Sequence, residues 1–208
     1  MGNPWKEISL SDYENHMKLD SVKQLQSMNQ TMKDQLNDYD VHSVMILGIA
    51  GGNGLEYIGN KYNKVFGVDI NSSYLKAVKD RYPNLSDVLE CLNIDLINDA
   101  DSLPKSELLI ANLLIEYIGY DAFVKVVQNV TPQYISCVIQ INETTKQWVS
   151  DSPYIHAFDG LDSVHCQMEE TKLTETMSKI GYRLIKTVAD VLPNGKSLVR
   201  LDYVQIPL

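Results

Sequence analysis

A chain of 208 residues is the length of one domain with some elaboration, and its 44% apolar and 22% charged residues are ordinary for a globular protein. The formal charge of −9 argues against tracking along nucleic acid, which depends on lysine and arginine at phosphates. No apolar run reaches the length of a membrane span, and the opening MGNPWKEISL lacks the apolar stretch of a signal peptide. Cys91, Cys137 and Cys166 are widely spaced and odd in number, which suits a reducing cytoplasm and offers no C-x-x-C zinc pair.

Residues 1–40 read as a helical extension. Ser11 and Glu14 stand at capping-box spacing and predict a short helix with Tyr13 and Met17 on one face. Val22, Leu25, Met28, Met32 and Leu36 then recur at steps of three and four, an amphipathic helix ending near Tyr39. The extension either packs against the main domain or forms a lid. From Val44 onward strand and helix patterns alternate. Apolar runs at 44–48, 64–68, 88–94, 107–113 and 134–141 are separated by helical stretches near 54–60, 72–80 and 121–130. That order implies a parallel sheet with helices on both faces. A further helix over 167–180 stops at Gly181. The chain ends in YRLIKTVADVL and KSLVRLDYVQI, joined by Pro193-Asn194-Gly195, where Asn-Gly signals a hairpin.

The stretch MILGIAGGNGLEYIG (45–59) is the chain's glycine-rich turn. A phosphate-cradling loop needs G-x-x-x-x-G-K-S/T, but five positions after Gly48 stands Asn53, with no Lys-Ser/Thr pair behind it. A dinucleotide fingerprint needs a third glycine where this chain has Tyr57, whose ring would hold the helix away from the strand. What remains is a short G-x-G, Gly52 and Gly54, followed by a second strand ending at Asp69 and a third ending at Asp95. A carboxylate at position 69 can accept both hydroxyls of a ribose, and one at 95 can accept an adenine amino group. Open α/β sheets bind ligands along this edge. The plain alternatives are that Asp69 caps the helix near Asn71 and that Asp95 closes a surface turn.

These residues resemble the cofactor half of a class I S-adenosylmethionine-dependent methyltransferase, and the terminal hairpin resembles the antiparallel seventh strand of that fold. The resemblance covers roughly 41–208 and implies a seven-stranded, Rossmann-like, doubly wound α/β sheet, mostly parallel, with helices on both faces. It also implies S-adenosylmethionine as cofactor and a cofactor site formed by Gly48, Ala50, Gly52, Asn53, Gly54, Asp69, Ile70, Asp95, Leu96 and Asn112. The family's acidic residue ahead of its glycines maps onto Gly48, and its first glycine onto Ala50. Glu56 or Asn53 stands in as a possible substitute for the acid.

Methyl transfer from a sulfonium needs alignment, and a general base only when the acceptor carries a proton. The fourth strand ends IANLLIEYIG (110–119) rather than in the D/N-P-P-Y/F of adenine-amino methyltransferases, so no stacking platform for a flipped base is indicated. The connection NETTKQWVSDSPYIHAFDGLDSVHC (142–166) is long and aromatic, with Trp148, Tyr154, His156, Phe158 and His165. With Tyr117 and the N-terminal helices it could close over a small acceptor. His16 is the base candidate, sharing a face with Tyr13; Tyr117 is the third candidate catalytic residue. His165 and Glu169 at i, i+4 are too few to predict a metal. The expectation is a cytoplasmic enzyme, monomer or homodimer, methylating a small molecule, with no nucleic-acid or membrane partner. A nicotinamide-dependent oxidoreductase and a non-enzymatic cofactor-binding protein of the same fold are the alternatives.

Overall fold

The computed structural model describes residues 2–142 and 148–207. Among them, the apolar runs become parallel strands β1 (Ser43–Leu47), β2 (Lys64–Asp69), β3 (Leu89–Asn93), β4 (Leu108–Asn112) and β5 (Tyr134–Ile141). β1 and β4 are buried on both faces, which is why they read as unbroken apolar runs rather than as alternation. β6 (Tyr182–Val191) and β7 (Ser197–Gln205) form the antiparallel hairpin, and β7 inserts beside β5 to give the order β3-β2-β1-β4-β5-β7-β6. Gly195 takes a φ of +79° in the turn, the backbone state that glycine adopts most cheaply.

Alternate residues of each strand feed opposite layers. Met45 and Leu47 face a core shared with α4 (Ile115–Val130) and α5 (Glu170–Lys179), including Phe123, Val126 and Leu173. Val44 and Ile46 face the other core, built with α2 (Gln24–Asn37) and α3 (Ser72–Arg81) through Met32, Leu36, Leu75 and Val78. Helices therefore cover both faces, as the strand–helix alternation implies. No helix among the described residues is long and apolar enough to cross a membrane.

Three elements differ from the sequence expectation. The stretch 54–60 holds only a single 3-10 turn, Leu55–Tyr57. Space explains the difference: a side chain on Gly54 would run into Met32 of α2. Asn29 of α2 also donates to Asn53 at 2.9 Å and to Glu56 at 2.6 Å, so α2 occupies the flank that a crossover helix would fill. The first helix, α1 (Leu10–Met17), has Ser9 rather than Ser11 at its N-cap, and no side chain caps it. The Ser9 and Ser11 hydroxyls bond to each other at 2.7 Å. Glu14 reaches Arg81 at the end of α3 instead of its own helix start. Finally, α4 begins at Ile115, six residues ahead of position 121, and breaks at Gly119 with φ +77°.

Under the sheet lies a buried polar network. Asp202 of β7 accepts the Tyr39 hydroxyl at 2.5 Å, the Ser136 hydroxyl at 2.5 Å and Arg200 at 2.6 and 2.9 Å. Ser136 accepts Gln35 at 2.9 Å, and Gln35 exchanges two hydrogen bonds with Asn112 at the head of β4, at 2.8 and 2.9 Å. This chain of bonds ties the sheet's antiparallel half to the strand end that borders the site.

Candidate active site

β1 leads straight into the turn. Its last pair with β2 is Leu47 and Val68, so Gly48 emerges beside Asp69 at the C-terminal edge of the sheet. Gly48 has φ +64° and Ala50 φ +48°. A left-handed conformation at a residue with a Cβ costs roughly 1–2 kcal/mol, and such strain concentrates where function requires it. Asp69 holds the Ala50 turn in place. Its carboxylate accepts the Ala50 N–H and the Asn71 N–H, each at 2.9 Å, and it is only 8% exposed. Burial pushes the Asp69 carboxyl up, while the N–H groups of Asn71, Ala50 and Ile70 oppose that shift. Two of its roughly four lone-pair sites remain for a ligand.

Gly48, Ala50, Asp69, Ile70, Asp95, Leu96 and Asn112 line one cleft, with Tyr13 and Tyr117 on its far wall. The cleft encloses about 660 Å³ of empty space, solvent at its mouth included. Gly52, Asn53 and Gly54 sit differently. A Cβ on Gly52 would meet Tyr82 at 2.8 Å and Leu55 at 2.9 Å, and one on Gly54 would run into Met32. Asn53 donates to the Leu25 carbonyl at 2.9 Å. Those three residues fasten the turn to α2 and to the end of α3, while Gly48 and Ala50 face the cleft. Both glycines also carry positive φ, so the turn's backbone as well as its packing asks for glycine there.

The strand before Asp95 ends at Asn93, which faces Asp69 across β2 and β3 and donates to the carbonyls of Asp69 and Ile70, both at 2.9 Å. Asp95 lies in the following turn, accepting Ile97 N–H at 3.0 Å and Asn98 at 2.9 Å. It thus closes a surface turn and borders the cleft at once. Asn112 also borders the cleft, but its amide is engaged with Gln35.

Gly48, where an acid is expected, has a structural reason to be glycine. A Cβ there would sit 3.0 Å from Leu114 at a φ of +64°. Gly48→Asp is therefore expected to cost about 1–3 kcal/mol, lowering the melting temperature by roughly 2–10 °C. Differential scanning fluorimetry checks this; an unchanged or higher midpoint would show that the backbone relaxes around the acid.

The N-terminal segment crosses this edge. Asn71 donates to the Trp5 carbonyl at 3.0 Å, the Tyr74 hydroxyl donates to the Ile8 carbonyl at 2.9 Å, and Arg81 clasps Glu14 beside Gly51. The Trp5 ring then packs edge-on against Tyr13 and Tyr117, with centroids 5.9 and 4.9 Å away. No sequence pattern singled out Trp5; only its place in the fold reveals it.

Beyond Trp5 and Tyr117 lies a second chamber, also lined by His16, Glu116, Gln140, Trp148, His165 and Lys196. His16 is buried and its Nδ1 pairs with the Ser152 hydroxyl at 2.7 Å. Burial, with Lys196 nearby, lowers its pKa and favours the neutral imidazole. Burial pushes the Tyr13 phenol up to about 12, and Tyr117 rises too, so both act as hydrogen-bonding hydroxyls at neutral pH rather than as bases. The structure thus separates the catalytic candidates: Tyr13 on the cleft, His16 on the chamber, Tyr117 on both. Phe158 joins the chamber from the 3-10 segment Ile155–Ser163, whereas His156 is exposed and pairs with Asp159. Residues 143–147 of the long connection lie outside the described residues. Among the described residues no three His, Cys, Asp or Glu side chains gather as metal ligands, so His165 and Glu169 find no third.

No family model matches the chain, and no curated protein matches it in sequence. Solved structures do match in shape. The geranyl diphosphate C-methyltransferase from Streptomyces coelicolor aligns with a TM-score of 0.68 at 9% identity, over 88% of this chain and 81% of that one. The N-methyltransferase NodS from Bradyrhizobium japonicum aligns at 0.67 and 10% identity, over 98% and 99%. The chain has the class I methyltransferase fold. The [4+2]-cyclase SpnF aligns as well, at 0.66 and 9% identity over 87% and 82%, so the methyltransferase fold by itself does not fix the reaction.

Proposed function

We propose that this chain is an S-adenosylmethionine-dependent methyltransferase acting on a small molecule. The observation that carries this reading is the strained Ala50 turn held by a buried Asp69 at the mouth of a cleft that shares its Trp5–Tyr117 wall with a second, polar chamber. Asp69 has lone pairs left for a ribose, while Ile70, Ile94 and Leu96 offer apolar walls for an adenine. When bound, S-adenosylmethionine supplies a methyl group on a positively charged sulfur that leaves as a neutral thioether. Trp5, Tyr13 and Tyr117 exclude water around the reacting centre and position the acceptor, which is most of what such a displacement asks of a protein. The methyltransferase neighbours support the reading: the geranyl diphosphate enzyme and NodS were both crystallised with S-adenosyl-L-homocysteine.

Isothermal titration with S-adenosylmethionine and S-adenosylhomocysteine tests the first half. The expected result is binding of both in the micromolar range, and no binding of either at millimolar concentration sinks the reading. Binding of NADH in their place would revive the dinucleotide alternative. A radiolabelled-methyl assay across a panel of small metabolites tests the second half. Cofactor binding without transfer to any of them would assign the fold to another use, as in the cyclase.

A further inference from the structure

Among the described residues, the buried side-chain atoms without a hydrogen-bond partner are the Trp5 indole N–H and Glu116 Oε2. Both residues line the second chamber. Native proteins rarely leave such groups orphaned, and where they do a ligand often completes the set. Glu116 is only 3% exposed and sits in the first turn of α4, directly after the cleft-bordering end of β4. Its other oxygen is fixed by the Gln140 N–H at 2.8 Å, so Oε2 is the atom left to meet a ligand.

The rest of the chamber narrows the chemistry. Aromatic rings of Trp5, Tyr117, Trp148 and Phe158 line it, and their faces attract a cation. The other basic groups lining the chamber hold contacts of their own. His16 bonds Ser152, His165 stacks on Trp148 at 3.9 Å, and Lys196 donates to the Trp148 carbonyl. Cys137, behind the carboxylate on β5, is fully buried and held as a thiol.

Resting on the methyltransferase reading above, we propose that the chamber binds a small primary or secondary amine as its ammonium ion, paired with Glu116, and that Glu116 accepts the proton that frees the nitrogen for methylation. Glu116 Oε2 takes one proton from the ammonium and becomes a carboxylic acid, which leaves a lone pair on nitrogen. The new N–C bond forms as the methyl–sulfur bond breaks; the sulfur keeps that electron pair and the product leaves as a methylated ammonium. Loss of water on burial pushes the Glu116 carboxyl up to about 7, against the Gln140 N–H that opposes the shift. A base of that strength reaches an ammonium group but falls far short of an aliphatic alcohol. His16 and His165 are both lowered by burial, which favours their neutral forms.

The pH dependence follows with a definite sign. Below about 7 Glu116 is neutral and attracts no cation; above it the carboxylate forms and amine affinity rises. Lys196, held down to about 8 by burial, loses its charge as pH rises further, which favours the ammonium in the same direction. The test is isothermal titration of the full chain with benzylamine and butylamine, against benzyl alcohol and benzoate, at pH 6 and pH 8. At pH 8 the amines should bind at least tenfold more tightly than the alcohol or the benzoate. At pH 6 that preference should shrink by about tenfold, and in Glu116→Gln it should be absent at both pH values. Equal binding of the alcohol or benzoate would overturn the proposal, as would a pH-dependent amine preference that survives Glu116→Gln. If that variant fails to fold, Lys196→Met separates the two groups: the preference should still shrink between pH 8 and pH 6, and a preference that no longer changes with pH would overturn the proposal. Titration of the same protein with S-adenosylhomocysteine separates the two readings. If it binds and amines show no preference, only the amine assignment fails; if it does not bind, the methyltransferase reading fails on its own account.

Discussion

Asp69→Ala is expected to weaken binding of S-adenosylhomocysteine by roughly 100-fold. The substitution removes the acceptor of the Ala50 and Asn71 N–H groups, each bound at 2.9 Å in a site that is almost closed to water. Stranding a buried donor costs about 1–3 kcal/mol, and every 1.4 kcal/mol is a factor of ten in affinity. Ala50 would then lose the side-chain acceptor that braces its left-handed turn. Asp69→Asn keeps one carbonyl oxygen for one of the amides and should lose only about tenfold. Calorimetry on the three proteins reads the series directly. A loss below threefold for the alanine variant would mean that the carboxylate only braces the turn and does not meet the ligand.

The largest stability effect is expected at the other end of the sheet. Asp202→Ala would leave the Arg200 guanidinium, 5% exposed, with Asp38 at 2.7 Å as its remaining carboxylate, and would release Tyr39 and Ser136. Breaking one partner of a buried ion pair costs about 3–5 kcal/mol, which for a chain of this length lowers the melting temperature by roughly 6–20 °C. The paired replacement Asp202→Leu with Arg200→Met removes both charges and should recover much of that loss. Denaturant titration of the single and double variants measures the difference. If the single variant melts within 2 °C of the parent (about 1 kcal/mol or less), the network is not holding the sheet. Because the network runs through Ser136 and Gln35 to Asn112, the single variant should also loosen the head of β4.

The sheet was largely legible in the sequence because its signals are local. Unbroken apolar runs mark strands buried on both faces, and Asn194-Gly195 marks the hairpin. The place of Asp69 on the cleft was legible because a strand end, an acid and a preceding turn stand within a short stretch. Elements that depend on distant partners were not legible. Glu14 has the spacing of a capping residue, yet its partner is Arg81, sixty-seven positions away. Gly52 and Gly54 look like ligand-facing glycines, but Tyr82 and Met32 set their identity. The missing helix at 54–60 follows from α2 lying alongside, a tertiary fact with no trace in the periodicity of 54–60. Glu116 carries no signal in the sequence, since only its burial in the first turn of α4 makes its carboxylate a candidate ligand.

Trp5 borders both the cleft and the chamber. A molecule in either compartment that holds the indole still has already met the ordering cost for the other. Any coupling between occupants of the two that runs through this side chain would have to be equal in both directions. Measured affinities for an acceptor therefore carry meaning only with the state of the neighbouring compartment specified. A Trp5→Ala chain should bind each ligand with no regard for the other.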